Sequence, residues 1–141
     1  MSFSARRLAI EREIMAQYFP GFAVERAAAI GTLTSNAGRR YGLRVTLRGF
    51  PNRVPEVFVT SPTLVMRSGR TLASLGPSGS MHVLQADVDG SPAICHFLDA
   101  LWTPTLTVYN VVMKARIWLE AWERHVATGE PLDKFLPHVA L

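Results

Sequence analysis

Chemistry in this sequence converges on one stretch, "GSPAICHFLDALWTPTLTV", which holds the only cysteine, Cys95. A thiol there is either a nucleophile or a small apolar residue packed between Ile94 and Phe97. The stretch is rich in helix and strand breakers, and reactive residues concentrate in such segments. His96 follows Cys95 directly, but neighbours in extended chain point to opposite sides, so it is a poor base for the thiol. His82 can fold back onto the thiol, though sequence does not fix that it does. Asp87 and Asp89 precede the thiol and Asp99 follows it. The first two either form the turn beside Gly90 or orient an incoming amine. Carboxylates near a thiol raise its pKa and oppose thiolate formation. That suits acyl exchange more than attack on an unactivated bond.

Other chemistries find little support. Cys95, His82, His96, His125 and His138 include zinc-ligand types, but no spacing matches a paired metal motif, and no metal is expected. His125 reads as a late-helix residue facing the helix dipole. Phosphate-cradling, dinucleotide, nucleophile-elbow and zincin motifs are all missing, so the chain should not use ATP itself. No cofactor is expected.

The 141 residues suit one domain, and a 48% hydrophobic composition is enough for a core. Fifteen Lys+Arg against eleven Asp+Glu give a net charge of +4, mostly as arginine. No basic run has the density of a phosphate-binding stripe, so no nucleic-acid partner is expected. Charges sit where a secretory leader needs apolar residues, and no apolar run reaches membrane-spanning length. The expectation is a cytoplasmic protein without a membrane partner.

The positioning elements follow from periodicity. A helix is predicted over about Ser4 to Phe19, capped by Ser4 and stopped at Pro20-Gly21. Its apolar face is read as Ile10, Ile14 and Tyr18, widened by Leu8, Met15 and Phe19. Phe22 to Leu33 is a strand candidate of unclear pattern. In "YGLRVTLR", Tyr41, Leu43, Val45 and Leu47 alternate with polar residues and Gly42, as in a half-buried strand. Turn residues in "SNAGRR" make a hairpin of these two. Val57 to Thr60 is a third strand, and His82 to Leu84 a short fourth. Arg67 to Ser80, and Gln85 through Pro104, are read as irregular. A long helix is predicted over Thr107 to Ala127, with Val108, Val111, Ala115, Trp118, Trp122 and Val126 as its stripe. Gly129 and Pro131 close it. Together these elements predict an α+β fold.

Three ordered stretches resemble the ubiquitin-conjugating enzyme family. "YGLRVTLRGFPNRVPEVFV" has the strand, aromatic-proline pair (Phe50-Pro51), second proline (Pro55) and strand. "GSPAICHFL" has a glycine turn and an apolar residue before the cysteine. "LWTPTLTVYNVVMKARIWL" has Trp102-Thr103-Pro104 leading into a long helix. The resemblance spans about Ser4 to Ala127, and the tryptophan-rich ending resembles the bacterial branch. It implies a single UBC-like domain with an N-terminal helix, a four-stranded antiparallel meander, an irregular active-site segment and a long C-terminal helix. It implies that Cys95 accepts the C-terminus of a ubiquitin-like protein from an ATP-using activating enzyme and passes it to a target lysine. Arg6, Arg7 and Arg12 then belong to the docking helix for the activating enzyme. His96 and Asp99 position the amine, while Trp102 and Pro104 wall the site or belong to the core. The sequence departs from the family at His-Pro-Asn: His82 matches the histidine, but Val83 and Leu84 replace the rest. Gln85 or backbone N–H groups are left to act as oxyanion donors. The setting implied is bacterial antiphage defence. The alternatives are modification of a signalling nucleotide cyclase, or a non-catalytic binding module on the same scaffold.

Overall fold

Alternation and capping place the elements in the structure, a computed structural model that describes residues 3–96 and 99–136. His138 and Phe97, both named above, lie outside the described residues. An N-terminal helix, α1 (Ala5–Tyr18), is followed by strands β1 (Phe22–Val24), β2 (Ala28–Thr34), β3 (Arg40–Thr46), β4 (Glu56–Ser61), β5 (Val83–Leu84) and β6 (Ala93–Ile94), then by a second helix, α2 (Val108–Thr128). Short 3-10 turns lie at Ala73–Leu75, Asp99–Leu101 and Leu132–Lys134. The α+β class is as expected, but the sheet has six strands in the order β1-β2-β3-β4-β6-β5, all antiparallel, and not four. Phe22 to Leu33 divides into β1 and β2 because the chain turns back on itself at Glu25, whose N–H donates to the Ala28 carbonyl. β6 escaped the sequence reading because two residues carry no period.

β3 behaves as its alternation dictates. Tyr41, Leu43 and Val45 are buried in the core and Arg44 and Thr46 face the other side. It pairs with β2 from Ala28↔Thr46 to Thr34↔Arg40, then with β4. The core is a single cluster between this sheet and the two helices.

α2 matches its predicted stripe. Thr107 and Asn110 form a reciprocal capping box, with the Asn110 N–H donating to Thr107 Oγ1 at 3.2 Å and the Thr107 N–H to Asn110 Oδ1 at 2.9 Å. Val108, Val111, Ala115, Trp118 and Trp122 are buried. Val126 is the exception, and His125 is buried in its place. Gly129 takes the left-handed conformation that ends the helix, at φ 79°. His125 Nδ1 lies 2.8 Å from the Glu130 carbonyl, and Nε2 accepts the Arg67 N–H at 3.2 Å. A carbonyl only accepts, so Nδ1 is the donor to Glu130. The ring joins the helix end to the loop after β4, beyond the dipole role read from sequence.

α1 corrects the sequence reading. Ser4 caps it as expected, but Ile10 is 43% exposed and Tyr18 55%. The buried ridge is Leu8, Glu11 and Met15. Glu11 is fully buried because its carboxylate accepts the Val108 N–H at 2.8 Å, at the first turn of α2, and the Arg7 Nε–H at 2.8 Å. The positive end of a helix favours an anion there. Leu8 and Met15 are buried as expected, but a hydrophobicity pattern does not register the carboxylate between them and so centres the face on Ile10 and Tyr18.

Candidate functional site

Cys95 follows β6 directly, where the sheet is thinnest. β6 is held by two register pairs on each side, to β4 and to β5. The pairing continues one step further, as the Cys95 N–H donates to the His82 carbonyl at 2.8 Å. That carbonyl also accepts Trp118 Nε1–H at 2.9 Å. His82 therefore ties the Cys95 backbone to α2. It has a positive φ of 51°, a conformation uncommon outside glycine. Its side chain is buried, with Nε2 3.4 Å from Asp133 Oδ1 in the last 3-10 turn. What His82 brings to Cys95 is thus a backbone carbonyl.

The Cys95 thiol is half-buried and forms no disulfide. Burial, then the Asp99 charge, push its pKa above the ordinary thiol value. His96 Nδ1 lies 3.3 Å from the Ile94 carbonyl, and its Nε2 is out of solvent. Burial pushes the His96 pKa down to about 4, so the ring is neutral near pH 7. A neutral ring beside a raised thiol is the opposite of a thiolate–imidazolium pair.

A groove of about 620 Å³ is lined by both sequence neighbours of Cys95, Ile94 and His96, though not by Cys95 itself. Arg48, Arg53 and Glu56 line it from the β3–β4 side, and His96, Asp99 and Trp102 from the segment after the cysteine. Trp102 joins the two walls: its Nε1–H donates to the Pro51 carbonyl at 2.8 Å and its ring packs on Phe50 at 6.2 Å. Asp99 opens the turn that positions Trp102, its carbonyl accepting the Trp102 N–H at 3.2 Å.

Other predicted residues lie apart from the groove lining. Asp87 and Asp89 form the turn before β6 and pair with Arg44, which lies over the Phe58 ring at 4.8 Å. Asp87 accepts the Gly90 N–H through its carbonyl and Asp89 the Ser91 N–H through its side chain, the turn-forming reading of the two. Gln85 is exposed. The Pro104 carbonyl accepts from Arg7, so Pro104 serves the α1 junction. Arg7 also donates to the Leu106 carbonyl and lies over Phe50. Arg12 donates to the Val24 carbonyl and pairs with Glu25, and Arg6 is exposed. Among the described residues, no three His, Cys, Asp or Glu side chains group as metal ligands. No helix among them is long and apolar enough to cross a membrane.

Sequence reasoning missed Arg48 and Arg53. They sit in or beside "FPNRVP", a connection whose only local signal is its prolines, and tertiary structure alone brings it opposite Asp99.

No protein-family model, curated protein or solved structure matches this chain.

Proposed function

We propose that the chain is an acyl carrier of the ubiquitin-conjugating type, with Cys95 holding the C-terminus of a ubiquitin-like protein as a thioester. The observation that supports this reading is the setting of Cys95: a half-buried thiol between two residues that line a groove, with the Asp99 charge acting on it. In the first step the Cys95 sulfur attacks the carbonyl of a thioester brought by an activating enzyme. The new S–C bond forms, the old one breaks, and the departing thiolate takes up the proton Cys95 releases. The exchange is nearly isoenergetic and depends on proximity. In the second step a target lysine amine attacks the Cys95 thioester, an amide forms, and the sulfur leaves and is reprotonated. A raised thiol pKa makes Cys95 a poorer leaving group and the loaded state longer-lived. Asp99 attracts the incoming ammonium group. His96, neutral at pH 7, fits a carrier better than a peptidase.

The setting suggested by the resemblance is bacterial antiphage conjugation, with a signalling nucleotide cyclase as the alternative target. ATP is consumed by the activating enzyme. A non-catalytic binding module is the competing reading, favoured by the same raised thiol pKa. Incubation with candidate activating enzymes, ubiquitin-like partners and ATP, followed by a gel without reductant, separates the two. The carrier gives a band that thiols remove and Cys95→Ala abolishes, while Cys95→Ser gives a thiol-resistant ester. A band that survives in Cys95→Ala overturns the reading.

A further inference from the structure

His82 reaches Cys95 through its backbone, and a distant segment reaches His82 through its side chain. Ser78 and Val83 exchange two backbone hydrogen bonds, at 2.9 and 3.1 Å, which close the loop over residues 79–82. His82 ends that loop at φ 51°, a conformation that a residue with a side chain keeps only when its surroundings enforce it. The 3-10 turn after α2, Leu132–Lys134, meets the loop there. Leu132 is fully buried and seats the turn in the core. The Asp133 N–H donates to the Ser80 carbonyl at 2.8 Å, and Asp133 Oδ1 lies 3.4 Å from His82 Nε2. One residue of the turn thus holds the loop by backbone and by ring. The His82 carbonyl in turn accepts two donors, the Cys95 N–H at 2.8 Å and Trp118 Nε1–H at 2.9 Å. An unbroken run of contacts therefore leads from the Asp133 carboxylate to the backbone of the cysteine.

We propose that Asp133 is a positioning residue for Cys95: through the His82 ring it fixes the His82 carbonyl, and with it the backbone that keeps the thiol half-buried. Without the carboxylate the His82 backbone relaxes toward the extended region, its carbonyl moves off the Cys95 N–H, and the thiol gains access to solvent. Burial is the largest cause of the raised Cys95 pKa, so a loosened backbone also yields more thiolate. Replacing the Asp133 side chain leaves the backbone bond to Ser80 and the Leu132 seat in place, which confines the change to the ring contact. The effect on the thiol stands apart from the carrier reading; its bearing on acyl transfer rests on that reading.

The test is the rate at which excess iodoacetamide alkylates Cys95, the only cysteine, followed by intact mass. Wild type is compared with Asp133→Ala, Asp133→Asn, Lys134→Ala, His82→Asn and the double variant His82→Asn/Asp133→Ala. Asparagine at 82 accepts the left-handed backbone, but its amide stops short of the place of Nε2. Asp133→Ala should react about 3-fold faster than wild type or more, while Asp133→Asn, which keeps an acceptor, should stay within about 2-fold. Lys134→Ala, on the same turn but paired with Glu130, should match wild type. Amide exchange at Cys95 should quicken in Asp133→Ala while exchange in β3 keeps its wild-type rate, which separates positioning from general loosening. Because Asp133 acts through His82, the double variant should react no faster than His82→Asn alone. Urea midpoints establish that each variant is folded; if His82→Asn is not, Asp133→Ala against Asp133→Asn decides. An Asp133→Ala rate equal to wild type overturns the proposal. So do independent effects that multiply in the double variant, a Lys134→Ala rate as high as that of Asp133→Ala, or exchange that quickens equally in β3. No activating enzyme or modifier enters the assay, so a failure here leaves the carrier reading untouched.

Discussion

The α1–α2 seam and the Cys95 margin both depend on a carboxylate, used in opposite ways. At the seam Glu11 is fully buried, and its two oxygens take an N–H from α2 and one from Arg7. At the margin Asp99 is exposed and acts on Cys95 through space. The seam is supported by a capped long helix, and the margin by two-residue strands and 3-10 turns. The contrast separates a seam whose polar groups are buried and bonded from a margin whose thiol stays half-buried. Buried, fully bonded polar groups fix a single arrangement, while half-buried ones leave reactivity to be tuned.

The sharpest break in that contrast is Glu11→Ala. It leaves the first N–H of α2 without an acceptor and Arg7 without its carboxylate, and should cost about 3–5 kcal/mol of stability in urea denaturation. Asp99→Asn should leave stability within about 0.5 kcal/mol in the same assay.

His96 gives a pH signature next in size. Its pKa falls from 6.5 to about 4 on folding, so the unfolded chain binds the extra proton between those values. The contribution is intact above pH 6.5 and is lost as pH drops toward about 4. The loss is at most about 3 kcal/mol, and His96→Gln should flatten this part of the stability–pH curve.

Trp118→Phe removes one of the two donors on the His82 carbonyl, which also accepts the Cys95 N–H. A loss of roughly 1–3 kcal/mol is expected. Because the donor supports the margin, amide exchange at Cys95 should quicken more than exchange in β3.

The smallest effect concerns the thiol itself. Removing the Asp99 charge lowers the Cys95 pKa, so Asp99→Asn should react a few-fold faster with a disulfide reagent at pH 7–8, about 2- to 5-fold. Burial, the larger cause, remains, so the pKa should stay above the ordinary value.

Much of the frame was legible because it rests on local rules. The β3 alternation, the Thr107 cap, the Gly129 stop and five of the six stripe positions of α2 are periodic or positional signals. α1 was legible as a helix and at Leu8 and Met15 of its buried ridge, but not at Glu11, which works through a partner 97 residues away. At the site, sequence located Cys95, His96, Asp99 and Trp102, which fall within eight residues. It did not reveal that Arg48 and Arg53 stand opposite them, since nothing local records which loop a proline-bounded connection meets. His82 was legible as a neighbour of the cysteine, but not as a carbonyl contact, because side-chain chemistry is what a sequence displays.

The most direct test of the central claim is the intact mass of the chain after incubation with an activating enzyme, its ubiquitin-like partner and ATP. The account predicts a mass increase of one modifier less one water, lost on adding a thiol and missing in Cys95→Ala. A modifier that stays attached through thiol treatment in the wild type from the earliest time point, or attaches equally to Cys95→Ala, contradicts it.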